Sequence, residues 1–167
     1  VKNDSIVIED DYDSELRYFG KPIPSLQGLD HNHKVVYLGS FSSTLFPSIK
    51  ISYMILPEHM AEIFHTFHGD YTQTCSKTEQ LTLALYMFQG FYQTNLKKLR
   101  TLYSQKLQAV LSLFEKWGKG FIQPINFSSG INMLVSVKSK KMPSQLCQEA
   151  YALGINTLPI TSYIEAP

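Results

Sequence analysis

Ser5-Ile6-Val7-Ile8-Glu9-Asp10-Asp11-Tyr12 is the stretch that decides the fold. Its apolar part is continuous and β-branched rather than alternating, the pattern of a strand covered on both faces, as in a parallel sheet. The acids that follow stand at the carboxyl end of that strand. In an open α/β sheet, ligands bind beyond those ends, which makes Asp10 and Tyr12 candidate site residues. A second strand, Val35-Val36-Tyr37-Leu38, is closed by Gly39 and a hydroxyl cluster, Ser40-Phe41-Ser42-Ser43-Thr44. A third apolar run, Ile49 to Leu56, is stopped by Pro57. A carboxylate at such a position pairs with a protonated ring nitrogen, and a phenol hydrogen-bonds a ring oxygen. A Ser-rich turn holds phosphate through hydroxyls and backbone N–H groups. Taken alone these features are weak, since acidic strand ends and Ser-rich turns are common and a plain turn explains them.

Residues 13–34, between the first two strands, carry Gly20, Pro22, Pro24, Gly28 and the polar run Asp30 to Lys34. Long irregular connections of this kind are functional or lie against another surface. Beyond Pro57 the apolar period changes from strand to helix. Glu58 to Phe67 predicts a short helix with Met60, Ile63, Phe64 and Phe67 on one side. Thr74, Ser76 or Thr78 is positioned to cap a second helix that runs to Gly90, and Phe91 to Trp117 is the longest helical pattern. Strands are expected at Phe121–Ile125, Ile131–Val137 and Ile155–Leu158, with a helix from Pro143 to Ala152. The order is strands and loops, long helices, then a small β-β-α-β unit: an α/β chain.

Composition bounds the function. Lys plus Arg number 15 and Asp plus Glu 14, for a net charge of +1 across 167 residues. Charged residues make up 17% and aromatic residues 13%, a balance that excludes intrinsic disorder and a strongly basic nucleic-acid footprint. No apolar run approaches the roughly 20 residues that cross a bilayer. Cys75 and Cys147 lie far apart with no C-x-x-C pattern, which reads as reduced thiols of a cytoplasmic protein. The start, Val1-Lys2-Asn3-Asp4, has no signal-peptide character. With no initiating Met and a stop at Glu165-Ala166-Pro167, the chain reads as a piece of something longer. Many aromatics with few charges to cover the outside predict an unusually apolar surface.

The same residues carry a resemblance. Ile8-Glu9-Asp10-Asp11-Tyr12-Asp13-Ser14-Glu15-Leu16-Arg17-Tyr18 resembles the E-D-D-Y-D-x-E-F-R-Y signature of the MocR/GabR group of GntR-type transcriptional regulators. Pro22 to Asp30 is similar to that group's P-x-P-x-L-Q-G-L-D. Val36 to Pro47 resembles its Y-x-G-T-F-S-K-T-L-x-P, and Ile49 to Pro57 its L-R-x-G-Y-x-V-L-P. The blocks match in order and spacing across residues 6–57, and the remainder, through Pro159 to Tyr163, fits more loosely.

The resemblance implies part of the large domain of a fold-type-I transferase dependent on pyridoxal phosphate (PLP), followed by a small C-terminal α+β domain. The implied division is 1–57 for the end of the large domain, 58–117 for linking helices and 118–167 for the small domain. Full-length members carry a DNA-binding winged helix ahead of this domain, so DNA would be met only through a separate N-terminal domain, with a homodimer as the assembly and a small amine or amino acid as the effector. By position, Asp10 would pair with the pyridine nitrogen, Tyr12 would lie beside the ring hydroxyl, and Ser40 and Ser42 would approach the phosphate. Two departures bear on mechanism. The group's Schiff-base lysine falls at position 43, which is Ser43, and the arginine that meets the phosphate is Lys50. A hydroxyl forms no imine with an aldehyde and does not shuttle the proton of transamination. Lysine neutralises phosphate only as a point charge.

The implied function is therefore effector sensing with catalysis impaired, and with PLP bound non-covalently or lost. The alternatives are an active aminotransferase in which Ser43 replaces a natural lysine, or a PLP-free dimerisation scaffold. The resemblance also implies an earlier half of the domain, without which the pocket is incomplete. Other features weigh less. Glu62-x-x-His65 has carboxylate–histidine metal spacing but no partner motif, so it reads as a solvated helix face. Lys97, Lys98, Arg100 and Lys106, and likewise Lys138, Lys140 and Lys141, read as solvated charge. Tyr86, Phe88, Phe91 and Tyr92 suit a core or a subunit contact better than base stacking. Ser43 as a hydrolase nucleophile lacks a G-x-S-x-G elbow.

Overall fold

The computed structural model describes residues 5–21, 23–46, 48–71 and 74–160. Strand β1 (Val7–Asp10) pairs in parallel with β2 (Val35–Ser40), and β2 pairs antiparallel with β3 (Ser52–Ile55), giving the order β1-β2-β3. The sheet is thus mixed, and β1 starts two residues later than the opening apolar run suggests. Asp10 is its last residue, in register with Leu38. The expected double cover of β1 is absent among the described residues: Val7 is 42% and Ile8 68% exposed. Among the described residues the strand is an edge, paired with β2 alone.

The connection from β1 to β2 is ordered by carboxylates that take over backbone donors. Glu9 accepts the N–H groups of Leu26 and Gln27 at 2.8 and 2.9 Å, which starts a one-turn helix α1 (Leu26–Leu29) capped by Ser25. Asp30 accepts from the backbones of Asn32, Lys34 and Val35, turning the chain into β2. These bonds favour the charged form and hold the Asp30 carboxyl below its usual range.

Helices α2 (Glu58–His68), α3 (Lys77–Phe88), α4 (Phe91–Trp117) and α5 (Pro143–Ala152) follow the periodic segments closely. Of the three candidate caps, Ser76 is the one used, its hydroxyl facing the Glu79 N–H. Gly90, at φ +77°, makes the turn between α3 and α4 in a conformation that favours glycine. Strands β4 (Ile122–Asn126) and β5 (Leu134–Val137) form a two-stranded antiparallel sheet. The expected strand at Ile155–Leu158 does not form. The N–H groups of Leu153, Gly154 and Ile155 turn back onto carbonyls of Ala150 and Tyr151, so the segment closes α5 instead of joining β4 and β5. Thr161 to Tyr163 of the loosely matched closing block, together with Pro22 and Pro47, lie outside the described residues.

Residues 13–19 form a strap that ties these parts together. Leu16 is fully buried. Its carbonyl accepts the Gly130 N–H and the Tyr18 N–H donates to Ser128, both at 2.9 Å, so that Arg17 bridges Ser129 beside the small sheet. On the other side, the Arg100 guanidinium of α4 donates to the Glu15 carbonyl at 2.6 Å, and Tyr18 packs against Tyr103. Near the start of α4, Thr44 is also fully buried. Its hydroxyl meets the Tyr92 phenol at 3.0 Å and its carbonyl accepts from Asn95.

Many large apolar side chains stand on the exterior, among them Ile8, Phe67, Phe88 and Leu153, and the fold is open. The accessible surface is 13429 Å², whereas a compact monomer of this mass exposes about 8,400 Å². Along α2, Ile63, Phe64 and Phe67 lie on one side, as expected, and all three are exposed.

Two outcomes follow from the strap. Leu16→Ala should lower the unfolding free energy by about 2–5 kcal/mol, the range for deleting a buried leucine side chain, as read by urea denaturation. Burial, aided by Asp11 and Asp13, raises the Glu15 carboxyl above its ordinary value, against the opposing backbone hydrogen bond and Arg100. A carboxyl raised in the folded state adds stability at low pH and loses it as pH climbs through the folded pKa. Glu15→Gln should therefore match the parent melting temperature near pH 4 and exceed it at neutral pH.

Candidate functional site

β1 and β2 run side by side in parallel, so their carboxyl ends open in one direction. β3 returns antiparallel and sets Ser52 opposite Ser40. Over these ends lies a cleft of about 820 Å³. Asp10, Tyr12 and Ser40 line it, joined by Ser52, Cys75 and Gln80. The parallel pairing brings Asp10 and Ser40 together from positions 30 apart in the chain. Asp11 takes a different role: it accepts the Tyr37 phenol at 2.6 Å. Burial, then that bond to Asp11, pushes the Tyr37 phenol well up.

The floor of the cleft depends on Gly39. The Tyr53 ring lies so close over it that an added Cβ would sit 2.3 Å from Tyr53 Cζ. Tyr53 also packs against Phe41, ring centroids 5.2 Å apart, and Phe41 meets Tyr92 edge-on. The aromatic stack joins the cleft wall to the first turn of α4.

The hydroxyls bond to one another. Ser42 donates its backbone N–H to Ser40 Oγ, Ser40 donates its hydroxyl to Ser42 Oγ, and Ser42 donates its own hydroxyl to the Ile49 carbonyl at 2.8 Å. Ser52 donates to Ser40 Oγ at 3.5 Å. Of the predicted site residues, the structure brings Asp10, Tyr12 and Ser40 to one cleft. Ser42 stands behind Ser40. Lys50 is exposed and Ser43 is not part of the lining. The Ser43 hydroxyl is buried without a hydrogen-bond partner.

Ser52, Tyr53, Cys75 and Gln80 were not singled out by sequence. Ser52 had a readable signal, because it replaces the glycine of the G-Y pair in the resembling block. Cys75 and Gln80 had none: they reach the cleft because the chain around the start of α3 folds back over the strand ends, with Gln80 Nε2 donating to the Cys75 carbonyl.

These residues fit one end of PLP and not the others. An exposed carboxylate and an exposed phenol, Asp10 and Tyr12, suit a protonated ring nitrogen and a ring hydroxyl. The lining residues described include no lysine, arginine or histidine, so neither a phosphate nor an aldehyde meets its usual partner. Among the described residues, no group of three metal-ligating side chains is gathered, and the Glu62–His65 pair lies on an exposed stretch of α2. Lys141 pairs with Glu149 at 2.6 Å, and Lys106 lies over the Tyr103 ring. No helix among the described residues is long and apolar enough to cross a membrane.

No family model matches the chain. It is 38% identical to YdeL of Bacillus subtilis, an uncharacterized HTH-type transcriptional regulator, over 99% of this chain and 36% of that protein. It is 36% identical to a second regulator of that organism, YhdI, over 98% of this chain and 35% of that protein. It is 29% identical to MocR of Rhizobium meliloti, a probable rhizopine catabolism regulatory protein, over 96% of this chain and 32% of that protein. The chain thus spans about a third of the length of the curated relatives it matches. Among solved structures, the kynurenine aminotransferase of Pyrococcus horikoshii superposes with a TM-score of 0.80 at 24% identity, covering 95% of this chain and 39% of that one. YbdL of Escherichia coli superposes at 0.79 with 18% identity, covering 97% and 42%. Regulators that align along nearly the whole chain, and aminotransferases that superpose on it, match the chain to the aminotransferase-like part of MocR/GntR-type HTH regulators, with the fold of a fold-type-I aminotransferase.

Proposed function

We propose that this chain senses a small amine or amino acid for a transcriptional regulator, with an aminotransferase-like fold that does not transaminate. The observation that carries the reading is Ser43. It stands at the position of the group's Schiff-base lysine, and its hydroxyl is buried with no hydrogen-bond partner. A hydroxyl offers no nitrogen for an imine and is too weak a base to relay the proton. PLP, when bound to such folds, supplies an electron sink. In this chain Asp10 and Tyr12 remain to hold a ring, while lysine is absent from the described lining of the cleft.

The rest of the reading concerns transmission. Residues 1–57 would belong to the large domain, 58–117 to linking helices and 118–167 to the small domain. Occupancy of the cleft would draw the small domain inward through the strap at 13–19, which follows β1 after Asp11 and Tyr12 and bonds to Ser128 and Gly130. DNA contact would come from a separate N-terminal domain. A homodimer would cover part of the exposed apolar surface, and the regulator would work in the cytoplasm.

Two measurements check the chemistry. Incubation with PLP and an amino donor should yield no keto acid, and borohydride should leave no pyridoxyl adduct on any lysine. Sustained keto-acid production, or such an adduct by mass spectrometry, overturns the reading. Ser43→Ala should leave the unfolding free energy within about 0.5 kcal/mol of the parent or slightly above it, because it removes a buried hydroxyl that has no partner to lose.

A further inference from the structure

Helix α4 takes hold of the turn at the strand ends through one residue. Thr44 is fully buried, and Tyr92, itself buried, meets its hydroxyl at 3.0 Å. The Thr44 hydroxyl also reaches the Phe41 carbonyl at 3.4 Å, which leaves the Tyr92 phenol as the donor between the two. Asn95, on the next turn of the same helix, donates to the Thr44 carbonyl at 2.9 Å. Phe41, at the other end of the turn, packs edge-on against the Tyr92 ring with centroids 5.8 Å apart. Burial raises the Tyr92 phenol above its ordinary value, against the Thr44 bond, which lowers it, so at neutral pH the phenol keeps the proton it donates. In a site closed to water, a broken hydrogen bond has no solvent to replace it. The turn is therefore gripped by side chain and backbone from positions 48 and 51 residues away in the chain.

The helix that grips the turn is long and stiff. Residues 91–117 hold no proline or glycine, the common causes of a kink, and the helix spans about 40 Å. Along its length Arg100 holds the strap through the Glu15 carbonyl, and just past its end Gly118 accepts the Ile122 N–H at the start of β4. We propose that the buried Thr44–Tyr92 pair, with Asn95, is a latch that locks the turn at 41–44 to α4, so that the turn and the small sheet open together as one cooperative unit. A change at the strand ends is then carried along α4 as well as through the strap. The latch is built from contacts internal to the chain and is tested without a ligand, so its failure leaves the sensing reading untouched.

Hydrogen exchange of the intact chain at rising urea concentration tests the latch, because amides released by one opening share one opening free energy and one urea dependence. In the parent, the bonded amides of Phe41, Thr44 and Leu45 at the turn and those of Gly130 and Lys138 at the small sheet should fall on a common isotherm. In Tyr92→Phe the three turn amides should exchange about five- to tenfold faster, the worth of one hydrogen bond, and with a weaker urea dependence. Gly130 and Lys138 should keep the parent rates. Asn95→Ala should split the two groups in the same way, and it becomes the deciding variant if Tyr92→Phe does not fold. Gln93→Ala, exposed on the same helix turn, should leave the shared isotherm intact. Separate isotherms in the parent, a shared one that survives in the deciding variant, or an equal split in Gln93→Ala overturns the proposal.

Discussion

The burial of Leu16 is the constraint on which the arrangement turns. It lies six residues beyond the end of β1, and its position obliges the chain to leave the strand, pass under α4 and meet the turn before β5. Asp13 makes the bend with a left-handed backbone, φ +64°. The fixed points of Asp10 and Tyr12 are therefore the β1–β2 pairing on one side and this strap on the other. The strap has costs that Leu16 alone does not offset. Asp13 Oδ1 and the Tyr18 hydroxyl are both buried without hydrogen-bond partners, each a penalty of about 1–3 kcal/mol. Burial, together with Tyr103 and Asp13, pushes the Tyr18 phenol up to about 12. Full burial of one leucine returns about 1.5–3 kcal/mol. The balance has to come from the backbone bonds to Ser128 and Gly130, the Arg100 bond and the aromatic contacts of Tyr18 and Phe19.

The site inherits its geometry from this same economy of backbone pairing. Parallel β1 and β2 place a carboxylate and a hydroxyl at one end of the sheet, and antiparallel β3 adds Ser52 beside them. Gly39 leaves room for Tyr53, and Tyr53 links through Phe41 to Tyr92 and so to buried Thr44. The cleft and the base of the long helix are thus parts of one packed unit. A change at the strand ends has a direct route of contact to α4, and through Arg100 and Glu15 back to the strap.

How much of this could be read from the sequence depended on whether the signal was local. Helices α4 and α5 were legible to the residue, because glycine and proline punctuate them and their apolar spacing is unbroken. The first three strands were legible as segments, though β1 slid toward its acids: Asp10 pairs in register with Leu38 instead of standing beyond the sheet. The final strand was misread because Ile155 and Leu158 look apolar while the fate of the Ile155 N–H, which turns back to Ala150, has no mark in composition. Asp10, Tyr12 and Ser40 could be placed at one cleft because Asp10 and Ser40 end strands and Tyr12 follows two residues after one. Cys75 and Gln80 were missed because only tertiary folding carries them there. The identity of Ser43 was plain in the sequence, but not that its hydroxyl would be enclosed and unpartnered.

The surface explains the composition with which the chain is built. A chain with 17% charged and 13% aromatic residues has too few charges to dress the outside of a fold this open. The helix α2 shows the consequence at one place. It has the one-sided apolar pattern of a helix that packs on a core, yet none of its residues is buried, and Phe64 stacks instead on His68, which in turn meets Tyr71. Amphipathic patterning is a statement about what a helix must be packed against. In α2 that demand is not met by the described residues. The same holds for Ile8 in β1, whose continuous apolar run calls for two covered faces. The two elements make one physical demand, for an apolar partner surface beside the sheet edge and beside α2. The homodimer proposed as the assembly would meet part of it.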